Sequence, residues 1–151
     1  MLTAVLAAFY ERDIQILIGE LNKFRDEKNI WLTAGSVKNS AGNLALHIAG
    51  GLNHFFGATL AHTGYIRNRD LEFSAKQISR EELTAALDAA IPMIKNVFEQ
   101  LGEQGMAADY PFEFDGMKRS NMYVLTQLSL HLNYHLGQVN YLRRVIDDAG
   151  S

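Results

Sequence analysis

The sequence predicts an all-α fold, specifically a four-helix bundle. Apolar residues recur three and four apart along most of the 151 residues, and only two prolines interrupt them. Two long segments, 39–66 and 120–142, contain no Asp, Glu, Lys or Arg. Both are long enough to cross a bilayer, but Asn43, His47, Asn53, His54 and His62 in the first, and Asn121, Gln127, His131, Asn133, His135, Gln138 and Asn140 in the second, would be costly in hydrocarbon. They read instead as helices buried among more charged ones, and no membrane association is expected. Residues 1–151 are read as one domain.

The first helix is expected over 3–24, burying Leu2, Leu6, Phe9, Tyr10, Ile14, Leu17, Leu21 and Phe24. Arg25, Asp26, Glu27 and Lys28 form a solvated exit, and 29–38 is a connection carrying Trp31, the one tryptophan. Asn39 or Ser40 can cap the second helix, whose stripe is Leu44, Ile48, Gly51, Leu52, Phe55 and Thr59. Gly50 and Gly51 inside it each cost about 1 kcal/mol relative to alanine. Close helix–helix approach, or space for a ligand, would offset that cost.

Residues 64–78 read as a polar loop. Ser79-Arg80-Glu81-Glu82 matches the Ser-x-x-Glu capping box and opens the third helix, with Leu83, Leu87, Ile91, Ile94, Phe98 and Leu101 as its core stripe. Pro92 is expected to kink it. A second long connection spans 102–119, and its stretch from Tyr110 to Gly116 reads as extended, ending in an Asp115-Gly116 turn. Ser120 can cap the fourth helix, which carries Leu125, Leu128, Leu132, Val139, Leu142 and Ile146 and stops near Gly150.

Composition excludes several chemistries. A formal net charge of −3 makes no electrostatic case for binding nucleic acid. Without cysteine there is no disulfide framework, thiolate nucleophile, Cys-type zinc site or covalent c-type haem. The chain reaches Glu11, Arg12 and Asp13 too early for a secretory signal, so the cytoplasm is the expected compartment. Ferritin-like diiron chemistry needs Glu-x-x-His on two helices, and Ser-His-Asp catalysis of the hydrolase type needs Gly-x-Ser-x-Gly. Neither motif occurs, and no Gly-rich phosphate loop does either.

All five histidines lie in the two charge-free segments. His131 and His135 are four apart, on one face of the fourth helix and directed toward the bundle interior. A pair so spaced can hold one metal ion. The spacer Leu132-Asn133-Tyr134 lacks the glutamate of the zinc-protease motif, so that mechanism is not indicated. A third ligand is expected from the second helix. His47 lies centrally on its apolar stripe; His54, about 10 Å further along the axis, stays open as the alternative. His62 is expected to face solvent. Three neutral imidazoles leave a divalent ion its full charge and an open position, as in catalytic sites. Gln138 and Asn43 are placed to orient the rings, and Tyr134 is a candidate proton donor.

The segments from Ser40 to Gly50 (SAGNLALHIAG) and from His131 to Val139 (HLNYHLGQV) resemble the DinB superfamily, which includes the YfiT-like proteins, and the likeness covers nearly the whole chain. The resemblance implies a bundle with metal-ligating His47 on the second helix and His131 and His135 on the fourth; His54 falls outside the pattern. It further implies a divalent ion, zinc or nickel, and often a homodimer. Family activities include thiol S-transfer with small cellular thiols and a thiol-dependent isomerisation, and other members are described as metal-dependent hydrolases. The expected function is therefore a metal-dependent enzyme acting on a small thiol or electrophile. The competing readings are a non-catalytic metal-binding structural or stress-response protein and a metal-free helical interaction module.

Overall fold

In the computed structural model, residues 1–149 are described, and they are all-helical, with isolated bridges but no strand. There are five α-helices where four were expected: α1 (Leu2–Lys23), α2 (Ala41–Leu52), α3 (Arg69–Ser74), α4 (Arg80–Ala107) and α5 (Asn121–Asp148). A 3-10 turn (Glu27–Trp31) follows α1, and a π-helical turn (Asn53–Ala58) extends α2. α1 packs on α4 and α5, α2 packs on α4 and α5 from the other side, and α3 sits on α2. No helix among the described residues is long and apolar enough to cross a membrane.

α1 buries Leu6, Tyr10, Ile14, Leu17 and Leu21 as its spacing predicts. Phe9 does not join them: it is 42% exposed and lies under the Arg12 guanidinium, 4.9 Å from its ring centre. Two buried carboxylates face α5 instead. Asn133 Nδ2 donates to Asp13 (2.9 Å), and Arg143 Nε donates to Glu20 (2.6 Å). Because a buried charge must be paired, these bonds fix how the two helices meet.

Ser40 caps α2, its hydroxyl accepting from the Asn43 amide at 3.1 Å. Nearly every residue from Ala41 to Leu52 is buried, which explains the absence of charge. In the π-helical turn that follows, Phe56, not Phe55, enters the core, packing edge-on to Tyr10 at 5.1 Å. Tyr110 Oη donates to the Phe55 carbonyl (2.9 Å), supplying a partner where the ordinary helical ladder is disturbed.

The segment read as a polar loop contains α3. Asn68 caps it through the Leu71 amide (3.1 Å), and Asn43 Nδ2 holds it to α2 by donating to the carbonyls of Glu72 and Ala75, both at 2.9 Å. The glycine pair finds its purpose here. A Cβ on Gly50 would overlap the Glu72 carboxylate, so the first glycine admits α3.

α4 opens with the predicted capping box, both reciprocal bonds between Ser79 and Glu82 being present. Its non-helical residue is Gly102 (φ 58°, ψ −177°), not Pro92. A proline removes one ladder bond, whereas this left-handed glycine departs from the helical path altogether. The chain resumes helix to Ala107, so the connection to α5 begins at Ala108 rather than at Gly102. That connection is a small hairpin. Phe114 and Met117 exchange backbone bonds of 2.8 and 3.1 Å across Asp115 (φ 55°) and Gly116 (φ 72°), as in a type I′ turn. Ser120 caps α5 through the Tyr123 amide. The predicted stop near Gly150 lies outside the described residues.

Candidate metal centre

α2 and α5 bring the three histidines of the sequence reading together. His131 Nε2 lies 3.4 Å from His47 Nε2 and 2.9 Å from His135 Nε2. Among the described residues, one potential ligand atom from each of His47, His131 and His135 lies within 4.8 Å of the others, and such a group could hold a metal ion. His47 is buried and His135 half-buried. The pair on α5 does not point into the core; it meets His47 at a cleft, with ring centres 5.1 and 5.2 Å from that of His47.

The outward nitrogens of two rings have acceptors. His47 Nδ1 faces Glu72 Oε1 at 3.1 Å, and His135 Nδ1 faces Gln138 Oε1 at 2.6 Å. Each acceptor draws the ring proton to Nδ1 and leaves the Nε2 lone pair directed at the cluster, the way ligating histidines are oriented. Gln138 thus acts on its ring as expected. Asn43 acts one step back, holding the backbone of Glu72 rather than an imidazole. Tyr134 is 64% exposed, its ring 5.5 Å from that of His135.

Sequence reasoning missed Glu72 and Arg67. Arg67 donates to both Glu72 oxygens, Nε to Oε2 at 2.8 Å and Nη2 to Oε1 at 2.9 Å. Burial pushes the Glu72 carboxyl up, but the bonds from Arg67 and His47 outweigh it and hold its pKa below the ordinary value. The one available signal was the Asn68-x-x-Leu71 cap pattern. Phe73 on α3 also packs on the His47 ring, 4.9 Å between centres.

Burial and nearby charge favour the neutral form of His47 and His131. The His131 pKa is pushed down to about 4 by burial, then by His135, His47, Arg67 and Arg69. His47 is lowered mainly by burial, against the pull of Glu72. Unprotonated nitrogens are what a metal needs. His54 lies in the π-helical turn against the Phe55 ring (4.9 Å) and is not in the group of three; His62 is exposed, with φ 53°.

Two cavities flank the cluster. His47 and His131 line one of about 320 Å³, together with Leu52, Phe55, Arg67, Arg69 and Phe114. His135 and Gln138 line the other, of about 740 Å³, with the 34–39 segment, Tyr141 and Val145.

The arrangement fits an ion. With their Nδ1 atoms turned to Glu72 and Gln138, His47 and His135 present Nε2 lone pairs toward His131, and a cation between the rings would satisfy them. Zinc–nitrogen bonds of about 2.0–2.1 Å place cis ligand atoms about 2.9–3.4 Å apart, between right-angled and tetrahedral geometry. The 2.9 and 3.4 Å separations are of that size.

No curated protein and no solved structure matches the chain. A family model does, over residues 5–150, described as a protein of unknown function, DUF1572; that description does not name the DinB superfamily. With nearly its whole length matched, the chain belongs to the DUF1572 family.

Proposed function

We propose that this chain is a metal-dependent enzyme in which His47, His131 and His135 hold one divalent ion, zinc or nickel, and that it acts on a small thiol or electrophile as an S-transferase or hydrolase. The observation that carries the reading is the convergence of three Nε2 atoms, two of them on rings whose Nδ1 is already turned to Glu72 or Gln138. The choice of reaction rests on the DinB resemblance, in which α1, α2, α4 and α5 are the four helices of the bundle and α3 is an addition on α2.

The chemistry such an ion supplies is Lewis acidity, which lowers the pKa of a thiol or water reaching it. The chain's own residues orient and shield. Glu72, neutralised by Arg67, fixes the His47 ring, and Gln138 fixes that of His135. Leu52, Phe55 and Phe114 give the cavity beside His131 an apolar wall that limits water. A homodimer belongs to the same proposal. Leu130, Tyr134, Tyr141 and Val145 are exposed on α5 at spacings of four and seven, an apolar face suited to a second copy.

The deciding experiment is metal content per chain, by plasma mass spectrometry on untagged protein, for wild type and His131→Ala. About one ion per chain, lost in the variant with helicity intact, supports the site. Thiol-transfer and hydrolase screens follow, with size-exclusion chromatography for the dimer. A folded protein that takes up no zinc or nickel sinks the reading. An ion whose loss lowers stability, with no turnover in any screen, favours the non-catalytic alternative.

A further inference from the structure

The cavity on the His47 and His131 side opens to solvent at Arg69, an exposed side chain on its rim. Its walls are largely apolar: Leu52, Phe55, Phe114 and Leu128. Two guanidinium groups line it, and they are in different states. Arg67 spends Nε and Nη2 on Glu72, with Nη2 also 3.3 Å from His47 Nδ1. Arg69 makes no hydrogen bond or ion pair among the described residues. The one carboxylate among the lining residues, Asp115, is exposed in the hairpin turn and pairs with neither arginine. Arg69 and His131 line the same cavity. A planar donor fork beside an apolar wall matches a carboxylate or phosphate attached to an organic body. At about 320 Å³ the space is at the small end for ligand pockets, which suits a molecule the size of a substituted phenyl ring.

We propose that this cavity binds the anionic group of a small organic substrate, carboxylate or phosphate, on Arg69, with the rest of the molecule against Phe55 and Phe114. The inference deepens the proposed function and rests on it for the molecule's role as substrate. The anion site itself is built from residues that are not in the group of three histidines.

Isothermal titration of the protein as purified, its metal content measured on the same sample, tests this with three probes: phenylacetate, phenylphosphate and uncharged phenylacetamide. At least one anion should bind, and more tightly than the amide; the tighter of the two identifies the group. Arg69→Ala should weaken that anion roughly 10–100-fold, the loss of one charged hydrogen-bonding partner, and Arg69→Lys should fall between. Lys38→Ala, a change in the other cavity, should leave binding unchanged, and metal content should be the same in all. The proposal is overturned if neither anion binds, if the amide binds as well, or if Arg69→Ala binds like wild type. An anion bound through Arg69 by a protein that takes no metal would uphold this site and sink the metal reading. Metal uptake without anion binding would do the reverse.

Discussion

Gly50→Ala and Gly51→Ala are adjacent, chemically identical changes that should move stability in opposite directions. In an exposed helix each would add about 1 kcal/mol. At Gly51 nothing opposes that gain: a new Cβ finds Arg67 Nη2 at 3.7 Å, an ordinary contact. At Gly50 the Cβ overlaps Glu72 Oε2 and lies 2.6 Å from Cδ and 3.3 Å from Cγ. Carbon atoms in contact sit about 3.5–4.0 Å apart, so the carboxylate must retreat by about 1 Å.

It is not free to do so, since Arg67 holds it at 2.8 and 2.9 Å and His47 at 3.1 Å. Losing the equivalent of one charged bond costs about 1.5–3 kcal/mol, which the helix gain only partly offsets. The expected net effect of Gly50→Ala is a loss of about 0.5–2 kcal/mol, or roughly 1–8 °C in Tm for a chain of this size. Gly51→Ala should raise Tm by about 2–4 °C. Thermal unfolding by circular dichroism reads both. Zinc titration should add a 10–100-fold weakening in Gly50→Ala, because the partner that orients His47 is displaced. A Gly50→Ala protein as stable as Gly51→Ala, with wild-type zinc affinity, would refute the role given to this glycine.

Gln138→Ala removes the acceptor on His135 and should weaken zinc binding by about tenfold, with little change in urea midpoint. Glu20 supplies an acid-side dependence. Burial raises its pKa, but bonds from Arg143, Lys23 and Asn140 outweigh that and hold it below the ordinary 4.5. A carboxyl depressed in the folded state contributes stability at pH above its unfolded pKa and loses it as pH falls through the folded value. Urea midpoints of wild type and Glu20→Gln should therefore differ at pH 7 and converge at pH below 4.5; a gap that widens on acidification contradicts the pairing. Gly116→Ala forces a side chain into φ 72° and should cost about 1 kcal/mol in thermal unfolding, with metal content unchanged.

Features with local causes were readable before the structure. The Ser79 capping box, the Ser40 and Ser120 caps and the Asp115-Gly116 turn each depend on a few neighbouring residues, and each is present. The histidine trio was readable in part: helical spacing put His131 and His135 on one face, but the choice of His47 over His54 was settled only by the DinB resemblance. What failed was tertiary. α3 is too short to show a period, and Glu72 is 25 residues from His47, so nothing in the loop's composition linked them. Phe9 sits on an apolar stripe yet stays exposed, its ring covered by the Arg12 guanidinium rather than by another helix. Pro92, expected to kink the helix, keeps helical backbone angles, whereas the helical path is left at Gly102, where the sequence reading began the connection.

The brevity of α3 has a further consequence. Six residues cannot hold a helix in water, where about 12–15 are needed even for favourable sequences. Its order is therefore lent by α2, through Asn43 and the space left at Gly50. Folding of this segment and delivery of Glu72 and Arg67 to His47 are one cooperative event. When the segment frays, the imidazole loses its anchor and the adjoining cavity loses a wall in the same motion. Amide exchange in α3 should then be faster than in α2 beneath it and should slow when an ion is bound, which makes the order of a six-residue helix a reporter of occupancy.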